Sequence, residues 1–373
     1  MLTLLSHIYR LIWDIRKWFY HSGLLKTRTL PYPVICVGNL TTGGTGKTPA
    51  VITITKILKK MDMSLWETNI TVGWAPPTEM AGDGGQCPPY TANKHHVAIL
   101  SRGYKRKSKA PILLVSDGKS LLSTPEESGD EPYLIASTLR NVPVVVGADR
   151  YKSGIYSAEH TGANIFILDD GYQHIQLHRD INILLIDSSN PYGNGHLLPK
   201  GILREPLNGI SRADCVIVTR ANEGGKGSIE ALVRKHNPDA PVFYASYQAD
   251  DVTDSNGYSY GVNTINGKKA FIFSGIANPQ SFRKSIEYIG GTVVGELSYP
   301  DHYWYKNDDL LKIMQEASDE SADAVITTAK DAVRLHGLDL YDKTGVEMKL
   351  LILHVEMIID NGFTIWIHKK IQG

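Results

Sequence analysis

The sequence has few cysteines and no excess of either charge, and both shortages exclude classes of protein. Its 373 residues include three cysteines, Cys36, Cys87 and Cys215, and no two of them form a C-x-x-C pair. This spacing argues against a structural zinc site or a disulfide framework, and it favours a reducing compartment. Lysine and arginine number 39 together, as do aspartate and glutamate, so the formal net charge is zero. We therefore expect no nucleic-acid partner, since such a partner requires a basic surface.

Long uninterrupted apolar runs are also missing, even at the N-terminus. Apolar residues recur on one helical face between positions 2 and 19, but Arg10 and Asp14 interrupt them. A helix that crosses a bilayer needs about 20 mostly apolar residues, so these charges exclude one, and the pattern of a signal peptide is absent. We predict that residues 1–24 form an amphipathic helix that lies in a membrane interface. The alternative is a helix packed on the protein's own core.

Short apolar runs alternate with helical patterns through the next part of the chain. The predicted strands are 34–37, 96–101, 112–116, 143–147, 164–169, 181–187 and 214–219. Most of them are apolar on both faces, which is typical of strands inside a parallel sheet covered by helices. The expected fold class is α/β, with a doubly wound, mostly parallel sheet that binds ligands at the carboxyl ends of its strands.

A second, similar pattern begins after about residue 245. It comprises predicted strands and helices at 270–275, 279–289, 292–297, 307–318 and 323–328. We therefore predict a main domain over residues 25–247 and a smaller α/β domain over residues 248–373. The smaller domain begins with a polar, glycine-containing connection, 248–267. Residues 63–94 are rich in proline and glycine without any periodicity, and we predict a surface insertion there.

The segment GNLTTGGTGKTP, residues 38–49, lies between the first predicted strand and a helix predicted over 47–60. A phosphate-binding loop (P-loop) requires this order of strand, glycine-rich loop and helix. Backbone N–H groups at the helix N-terminus bind phosphate oxygens in such a loop, the lysine reaches the β- and γ-phosphates, and the next hydroxyl binds Mg²⁺. The predicted nucleotide-binding residues are Gly43, Gly44, Thr45, Gly46, Lys47 and Thr48. Thr41 stands where the strict pattern has glycine.

Two acidic residues, Asp169 and Asp170, follow the apolar run NIFIL directly. They should therefore lie at the carboxyl edge of the sheet, beside the phosphate loop. A carboxylate at this place holds Mg²⁺ directly or through water. A solvated pair that ends a strand is the alternative. We predict a magnesium site formed by Thr48, Asp169 and Asp170.

Asp130 and His302 are each open to two interpretations. Asp130 lies in SGDEP, at the start of a helix predicted over 131–140, where an aspartate is by default a cap worth about 1 kcal/mol. The alternative is a base that accepts the proton of an acceptor hydroxyl, which position alone does not establish. His302 lies in SYPDHYWY, after a strand of the second domain. A lone histidine among aromatic residues is more often structural, and the residues alone do not decide either case.

Eight motifs occur here in the order in which they occur in the tetraacyldisaccharide 4'-kinase family. They are GNLTTGGTGKTP, SRGYKRK, GDEP, LDDGYQH, LLPKGILREP, FSGIANPQSF, PDHYWY and TTAKDAVRL. The chain resembles this family over nearly its whole length outside the predicted insertion. DDGYQH and LLPKGILREP are more distinctive than the phosphate loop.

The resemblance implies a P-loop kinase of lipid A biosynthesis, peripheral at the cytoplasmic face of the bacterial inner membrane. Such an enzyme uses ATP and Mg²⁺ and phosphorylates the 4'-hydroxyl of a tetraacylated disaccharide 1-phosphate lipid. The lipid and the membrane surface are then its partners, and no obligate protein partner is expected. In the family the GDEP aspartate acts with a histidine, which corresponds to Asp130 and, by its PDH motif, His302. This implies that His302 orients Asp130 while the carboxylate accepts the hydroxyl proton.

Several further residues are candidates for the site. Arg102, Tyr104 and Lys105 in SRGYKRK are candidate contacts to the acceptor, and a solvated or packed loop is the alternative. Arg150 in GADR follows a strand and is a candidate for stabilising the transferring phosphate. With it, the predicted catalytic residues are Lys47, Asp130, Arg150 and His302.

The LREP motif contributes the last two predicted substrate-binding residues, Arg204 and Glu205. They resemble site residues of the family, although an ion pair that shapes a loop is equally compatible. The family's T-E-K-D motif reads TAKD here, at 328–331, and we do not include it among the predicted catalytic residues.

Two other functions share part of this pattern. A P-loop NTPase switch acting on a protein partner would use the same loop and aspartate pair, but it leaves GDEP and PDH without a common purpose. A soluble small-molecule kinase would have no use for an exposed apolar helix.

Overall fold

The fold is described from a computed structural model, which describes residues 1–60, 96–338 and 348–372. The predicted insertion, 63–94, lies outside the described residues, as does Cys87. The helices in these ranges are α1 (Leu2–His21), α2 (Lys47–Lys60), α3 (Pro125–Ser128), α4 (Asp130–Thr138), α5 (Arg150–Thr161), α6 (Lys226–His236), α7 (Pro279–Tyr288), α8 (Asn307–Asp319), α9 (Ala329–Val333) and α10 (Asn361–Gln372). The strands are β1 (Val34–Asn39), β2 (Val97–Ser101), β3 (Ile112–Asp117), β4 (Pro143–Gly147), β5 (Ile165–Asp169), β6 (Ile181–Asp187), β7 (Cys215–Thr219), β8 (Val242–Asp254), β9 (Lys269–Ser274), β10 (Thr292–Ser298), β11 (Ala324–Thr328) and β12 (Leu350–Ile359).

The strands of the described residues form one sheet in the order β10-β9-β11-β12-β8-β7-β6-β1-β5-β2-β4-β3. Neighbouring strands run parallel, except that β3 is antiparallel to β4 and β12 is antiparallel to β8. Every residue of the central strand β1 is buried. Both faces of the sheet are therefore covered at this strand. Ile35 and Val37 of β1 pack in a core with α2, whereas Val34 and Cys36 pack in a second core. The α/β class with a mostly parallel sheet is as predicted.

Strand β8 joins the two parts of the sheet. Its first residues pair with β7, and most of its length pairs with β12, from Ala245 opposite Ile359 to Asp254 opposite Leu351. The sequence predicts a polar connection over 248–267, but residues 248–254 belong to this strand. Their polar side chains hide the strand pattern, because Asp250 and Asp251 line a cleft rather than a core. The domain boundary at 247 and 248 stays a prediction.

Helix α10 at the end of the chain packs on the main part of the sheet. Its Phe363 and Ile367 are fully buried in the same core as Ile35 of β1 and Val51 of α2. Burial of such a side chain is worth about 1.5–3 kcal/mol relative to exposure. The last residues of the chain, which the sequence assigns to the smaller domain, therefore stabilise the larger one.

Helix α1 is attached to the body of the protein by a few contacts and leaves most of its apolar residues exposed. Trp13 is buried, the Ser6 hydroxyl donates to the Leu197 carbonyl oxygen at 3.0 Å, and the Tyr9 hydroxyl donates to the Arg204 carbonyl oxygen at 2.7 Å. The exposed apolar residues are Leu2, Leu4, Leu5, Ile8, Leu11, Ile12, Ile15, Trp18 and Phe19. Among the helices that the structure describes, none has the length and apolar character needed to span a bilayer.

Candidate active site

The predicted phosphate loop connects β1 to α2, and its backbone requires glycine. Gly43 has a φ of 106° and Gly46 a φ of 83°, in the region that side chains with a Cβ rarely adopt. A Cβ atom on Gly46 would also lie 1.8 Å from the hydroxyl oxygen of Tyr247. Lys47 and Thr48 begin α2 directly after the loop. The loop therefore has the conformation and the helix N-terminus that bind phosphate.

The end of β7 holds this loop from one side. The Thr219 hydroxyl donates to the carbonyl oxygen of Thr45 at 3.2 Å, and Arg220 donates to that of Gly44 at 3.1 Å. Arg220 also forms a buried ion pair with Asp187 at the end of β6. These bonds satisfy two carbonyl groups of the loop and fix it against neighbouring strands.

Lys47 connects the loop to the predicted metal site. Its Nζ atom lies 3.3 Å from the side-chain oxygen of Asn39 and 3.8 Å from Oδ1 of Asp170. The side chain is only 10% exposed. A lysine held in this way presents its charge at the edge of the sheet where phosphates would lie.

Asp169 and Asp170 are adjacent in sequence but have different surroundings. Asp169 is buried, and its Oδ2 accepts a hydrogen bond from Ser101 at 2.8 Å. Burial raises the pKa of Asp169 to about 7, and the nearby carboxylates Glu131 and Asp170 contribute. Both oxygens of Asp170 are bonded to Arg204 at 2.8 Å. Burial opposes ionisation of Asp170 too, but Lys47 and Arg204 outweigh it and lower its pKa.

A divalent cation fits the Asp169 side of this pair. Among the described residues, no donor reaches the buried Oδ1 of Asp169, and burial together with the neighbouring carboxylates raises the pKa of this group. Thr48, at the start of α2, is buried except for 8% of its surface and lines the same cleft as the loop. The described part of the chain holds no cluster of three His, Cys, Asp or Glu residues arranged around a metal. A magnesium ion would therefore take further ligands from phosphate oxygens and water, as it commonly does.

Asp130 and His302 lie in direct contact, although 172 positions separate them in the sequence. The Nδ1 atom of His302 is 2.8 Å from Oδ2 of Asp130, and Nε of Arg334 is 2.7 Å from the same oxygen. The backbone N–H of Glu131 donates to Oδ1 at 2.9 Å. Burial would raise the pKa of Asp130, but the bond to His302 and the charge of Arg334 outweigh it, so this pKa is lowered. His302 has a φ of 64°, a strained conformation that is common at functional sites.

The TAKD segment, 328–331, borders this contact from α9. Lys330 is bonded to Glu131 at 3.1 Å and to Asp301 at 3.3 Å, so it joins the two residues adjacent to the pair. Asp331 is bonded to Arg334 at 3.1 Å. This segment is not among the predicted site residues, and neither is Arg334. Their presence in the motif TTAKDAVRL is the signal that points to them.

The predicted basic residues are distributed around the same edge of the sheet. Arg150 begins α5 and is buried, and its Nε has no hydrogen-bond acceptor among the described residues. Burial and the nearby charge of Arg102 lower the pKa of Arg150 to about 10. Arg102, Tyr104 and Lys105 are exposed in the loop after β2. The ring of Tyr104 lies 5.7 Å from that of His302, so this loop borders the Asp130–His302 pair.

Arg204 and Glu205 belong to two separate ion pairs. Arg204 binds Asp170, as described above, and so faces the predicted metal site. Glu205 is fully buried, where it binds Arg212 at 2.8 Å and Gln173 at 2.9 Å. Arg204 thus lies in the site, whereas Glu205 supports the segment that carries it.

A cleft of about 390 Å³ lies between the phosphate loop and the second part of the sheet. The loop and the first turns of α2 line one side, while α7, β8 and β12 line the other. Glu131 and Lys330 also line it. Glu131 follows Asp130 in the chain, and Lys330 contacts both Glu131 and Asp301, the residue before His302. The cleft and the Asp130–His302 pair are therefore neighbours.

Comparisons with known proteins identify the family of this chain. A sequence model described as tetraacyldisaccharide-1-P 4'-kinase matches residues 1–66 and 88–372. The chain belongs to this family. The tetraacyldisaccharide 4'-kinase of Syntrophus aciditrophicus is 38% identical over 345 residues, covering 90% of this chain and 84% of its own. That of Pelobacter propionicus is 36% identical over 360 residues, which cover 96% of this chain and 88% of the relative.

A solved structure of the same kinase family supports the fold. LpxK from Aquifex aeolicus, crystallised in complex with ATP, matches with a TM-score of 0.70 and 31% identity over 99% of this chain and 98% of its own. Family membership confirms the predicted resemblance. The family match leaves out residues 67–87, which fall within the predicted insertion. The roles of individual site residues stay predictions.

Proposed function

We propose that this protein transfers the γ-phosphate of ATP to the 4'-hydroxyl of a tetraacyldisaccharide 1-phosphate, a step of lipid A biosynthesis. The observation that carries the proposal is the contact between Asp130 and His302 beside the cleft of the phosphate loop. A nucleotide switch needs a loop and a metal site, but it has no use for a buried acid–histidine pair. In a kinase such a pair has a direct use, because the acceptor hydroxyl must lose a proton.

Residues of the phosphate loop act on the nucleotide. Backbone N–H groups at the start of α2 would bind the phosphates, and Lys47 would reach the β- and γ-phosphates from the same place. Thr48 and Asp169 would hold magnesium, and Asp170 keeps Arg204 and Lys47 in place. The ion, when bound, neutralises charge on the β- and γ-phosphate oxygens. Arg150 adds a buried positive charge at the same edge.

The acceptor hydroxyl reacts at the opposite side of the site. As its oxygen forms a bond to the γ-phosphorus, the bond from phosphorus to ADP breaks, and the hydroxyl proton passes to the Asp130–His302 pair. Tyr104 lies beside His302, and Arg102 and Lys105 are exposed in the same loop, from which they can contact the sugar and its phosphate. A loop that carries two cations and an exposed aromatic ring suits an anionic sugar.

Helix α1 supports a reaction at a membrane surface. Its exposed apolar residues suit the interface between lipid headgroups and acyl chains, where the acceptor's own chains remain. The helix is also coupled to the site, because Tyr9 binds the carbonyl oxygen of Arg204, whose guanidinium binds Asp170. We place the protein at the cytoplasmic face of the inner membrane as a peripheral enzyme, with the lipid as its partner.

The deciding experiment measures ATP consumption with and without a tetraacylated disaccharide 1-phosphate in mixed vesicles. The proposal expects lipid-dependent formation of ADP and a product phosphorylated at the 4'-position. An acceptor that lacks the 4'-hydroxyl is the matched control and should give no lipid product. Flotation with anionic vesicles, comparing the full chain with one lacking residues 1–24, tests the membrane contact separately. ATP hydrolysis that is indifferent to the acceptor would favour the nucleotide switch.

A further inference from the structure

A connecting segment, 197–204, lies between helix α1 and the phosphate loop, and α1 is bonded to both of its ends. The Ser6 hydroxyl donates to the carbonyl oxygen of Leu197 at 3.0 Å, and the Tyr9 hydroxyl donates to that of Arg204 at 2.7 Å. This segment makes up most of the distinctive motif LLPKGILREP. The helix therefore contributes to the position of a segment close to the site.

The connecting segment is bonded on its other side to the first residues of the phosphate loop. The N–H of Arg204 donates to the carbonyl oxygen of Leu40 at 2.7 Å, and the N–H of Thr42 donates to that of Ile202, also at 2.7 Å. These two bonds form a short antiparallel pairing between the segment and the loop. The start of the loop is thus held by a segment that α1 holds in turn.

The start of the loop is linked to the lysine that would reach the phosphates. Nδ2 of Asn39 donates to the hydroxyl oxygen of Thr41 at 3.2 Å, and Nζ of Lys47 donates to Oδ1 of Asn39 at 3.3 Å. Asn39 and Thr41 are both buried. Because a close-packed interior transmits displacements, a shift of the pairing would also move the ammonium group of Lys47. A continuous series of contacts therefore joins α1 to the phosphate site.

The contacts of α1 with the protein depend on its being helical. Ser6, Tyr9 and Trp13 are spaced i, i+3 and i+7, so they share a face only in a helix. A helix gains most of its stability from the packing of its apolar face, and the apolar residues of α1 are largely exposed. Insertion of these residues into a lipid interface would stabilise the helix. A membrane therefore favours the state in which Ser6 and Tyr9 reach the connecting segment.

We propose that Ser6 and Tyr9 are positioning residues of the phosphate loop, through which binding of α1 to a membrane raises the affinity for ATP. This inference rests on the proposed function, because it requires α1 to lie in the membrane interface. Coupling between two binding sites is reciprocal, so ATP must strengthen membrane binding by the same factor. ATP is then bound most tightly at the surface that contains the acceptor.

Equilibrium binding of the non-hydrolysable ATP analogue AMP-PNP with Mg²⁺ tests the coupling without catalysis and without an acceptor. The full chain is titrated with and without vesicles of phosphatidylethanolamine and phosphatidylglycerol. We expect the vesicles to lower the Kd of the analogue by about 5- to 10-fold, within the usual range for coupled sites. Flotation with and without saturating analogue should give the same factor for the partition of the protein into the vesicle fraction. A Kd that the vesicles leave unchanged would overturn the proposal.

Two conservative variants test the residues themselves. Tyr9→Phe removes the hydroxyl bonded to Arg204, and Ser6→Ala removes the one bonded to Leu197. Each should reduce the effect of vesicles on the Kd by about 2- to 5-fold, within the range of one hydrogen bond. Flotation without nucleotide should stay the same, because the exposed apolar residues are kept.

Tyr20→Phe is the matched control in the same helix. Tyr20 contacts Arg16 through the face of its ring, and it is not bonded to the connecting segment. This variant should keep the full effect of vesicles on the Kd. An effect of wild-type size in both Tyr9→Phe and Ser6→Ala would contradict the roles of these residues.

Turnover on vesicles that contain the acceptor distinguishes positioning from a loss of stability. Tyr9→Phe should raise the KM for ATP by about 2- to 5-fold and leave kcat nearly unchanged, because the loop binds the phosphates both before and during transfer. A fall in kcat with an unchanged KM would contradict a role in ATP binding.

The outcomes separate this inference from the proposed function. A full chain that forms no lipid product contradicts the function, whatever the vesicles do to the Kd of the analogue. A full chain that forms product and floats with vesicles, but binds the analogue equally well without them, contradicts only the coupling.

Discussion

The two ends of the site are built in different ways. At the phosphate end, one continuous segment supplies the loop, Lys47 and Thr48, and the start of α2 adds its positive end. At the proton end, Asp130, His302 and Arg334 come from three distant parts of the chain, and the Asp130–Arg334 contact spans 204 positions. Phosphate, a ligand common to many proteins, is thus bound by a local motif. Proton transfer depends instead on residues that only the folded sheet brings together. Substitutions at the two ends should therefore have different effects on ATP binding and on turnover.

The largest difference is expected between variants of Asp130 and Lys47. Asp130→Asn should lower kcat by about 10²- to 10⁴-fold and leave the affinity for ATP nearly unchanged, because the pair acts in the chemical step. Lys47→Ala should weaken ATP binding as well as turnover, since its ammonium group contacts the phosphates in both states. Equilibrium binding of ATP together with single-turnover rates measures both effects. Comparable loss of ATP affinity in the two variants would contradict the separation of the two ends.

The phosphate end could be predicted from sequence, whereas most of the proton end could not. The glycines, Lys47 and Thr48 of the loop all lie within residues 38–49, and the strand before it begins with a fully buried apolar run. Nothing local distinguishes Asp130 from a helix cap or His302 from a structural histidine. Their pairing followed from the family resemblance, and the structure brings them within hydrogen-bond distance.

Arg334 was missed for a related reason. Its importance comes from two carboxylates, Asp130 and Asp331, and only the second is near it in sequence. The same limit applies to the fold. The sequence predicts no strand over β8 and a polar connection over 248–267, because polar residues of this strand face a cleft. Helix α10 packs against partners from the beginning of the chain. Local patterns identify elements whose own sequence is apolar. They do not identify elements whose position depends on contacts with distant parts of the chain.

A smaller contrast is expected within the phosphate end, between the two adjacent aspartates. Asp169→Asn should raise the Mg²⁺ concentration required for half-maximal turnover by about 10-fold or more, because it removes the oxygen left free for the ion. Asp170→Asn should change this requirement less and the KM for ATP more, because Asp170 holds Lys47 and Arg204. Magnesium titrations of both variants at saturating ATP test the assignment. Unchanged titrations in both would exclude a metal role for the pair.

The smallest expected effect concerns Glu205, which the sequence places in the site with Arg204. Glu205→Gln keeps the size of the side chain but removes the charge that pairs with Arg212, so it should lower the free energy of unfolding by about 1–3 kcal/mol. Turnover of the folded enzyme should change little, because Glu205 is buried behind the segment that presents Arg204. Thermal unfolding and kcat are measured on the same preparation, with Arg204→Gln as the matched variant that releases Asp170. A fall in kcat at an unchanged Tm would show that Glu205 acts in the site, as the family resemblance implies. The phosphate end would then extend beyond the loop and the aspartate pair.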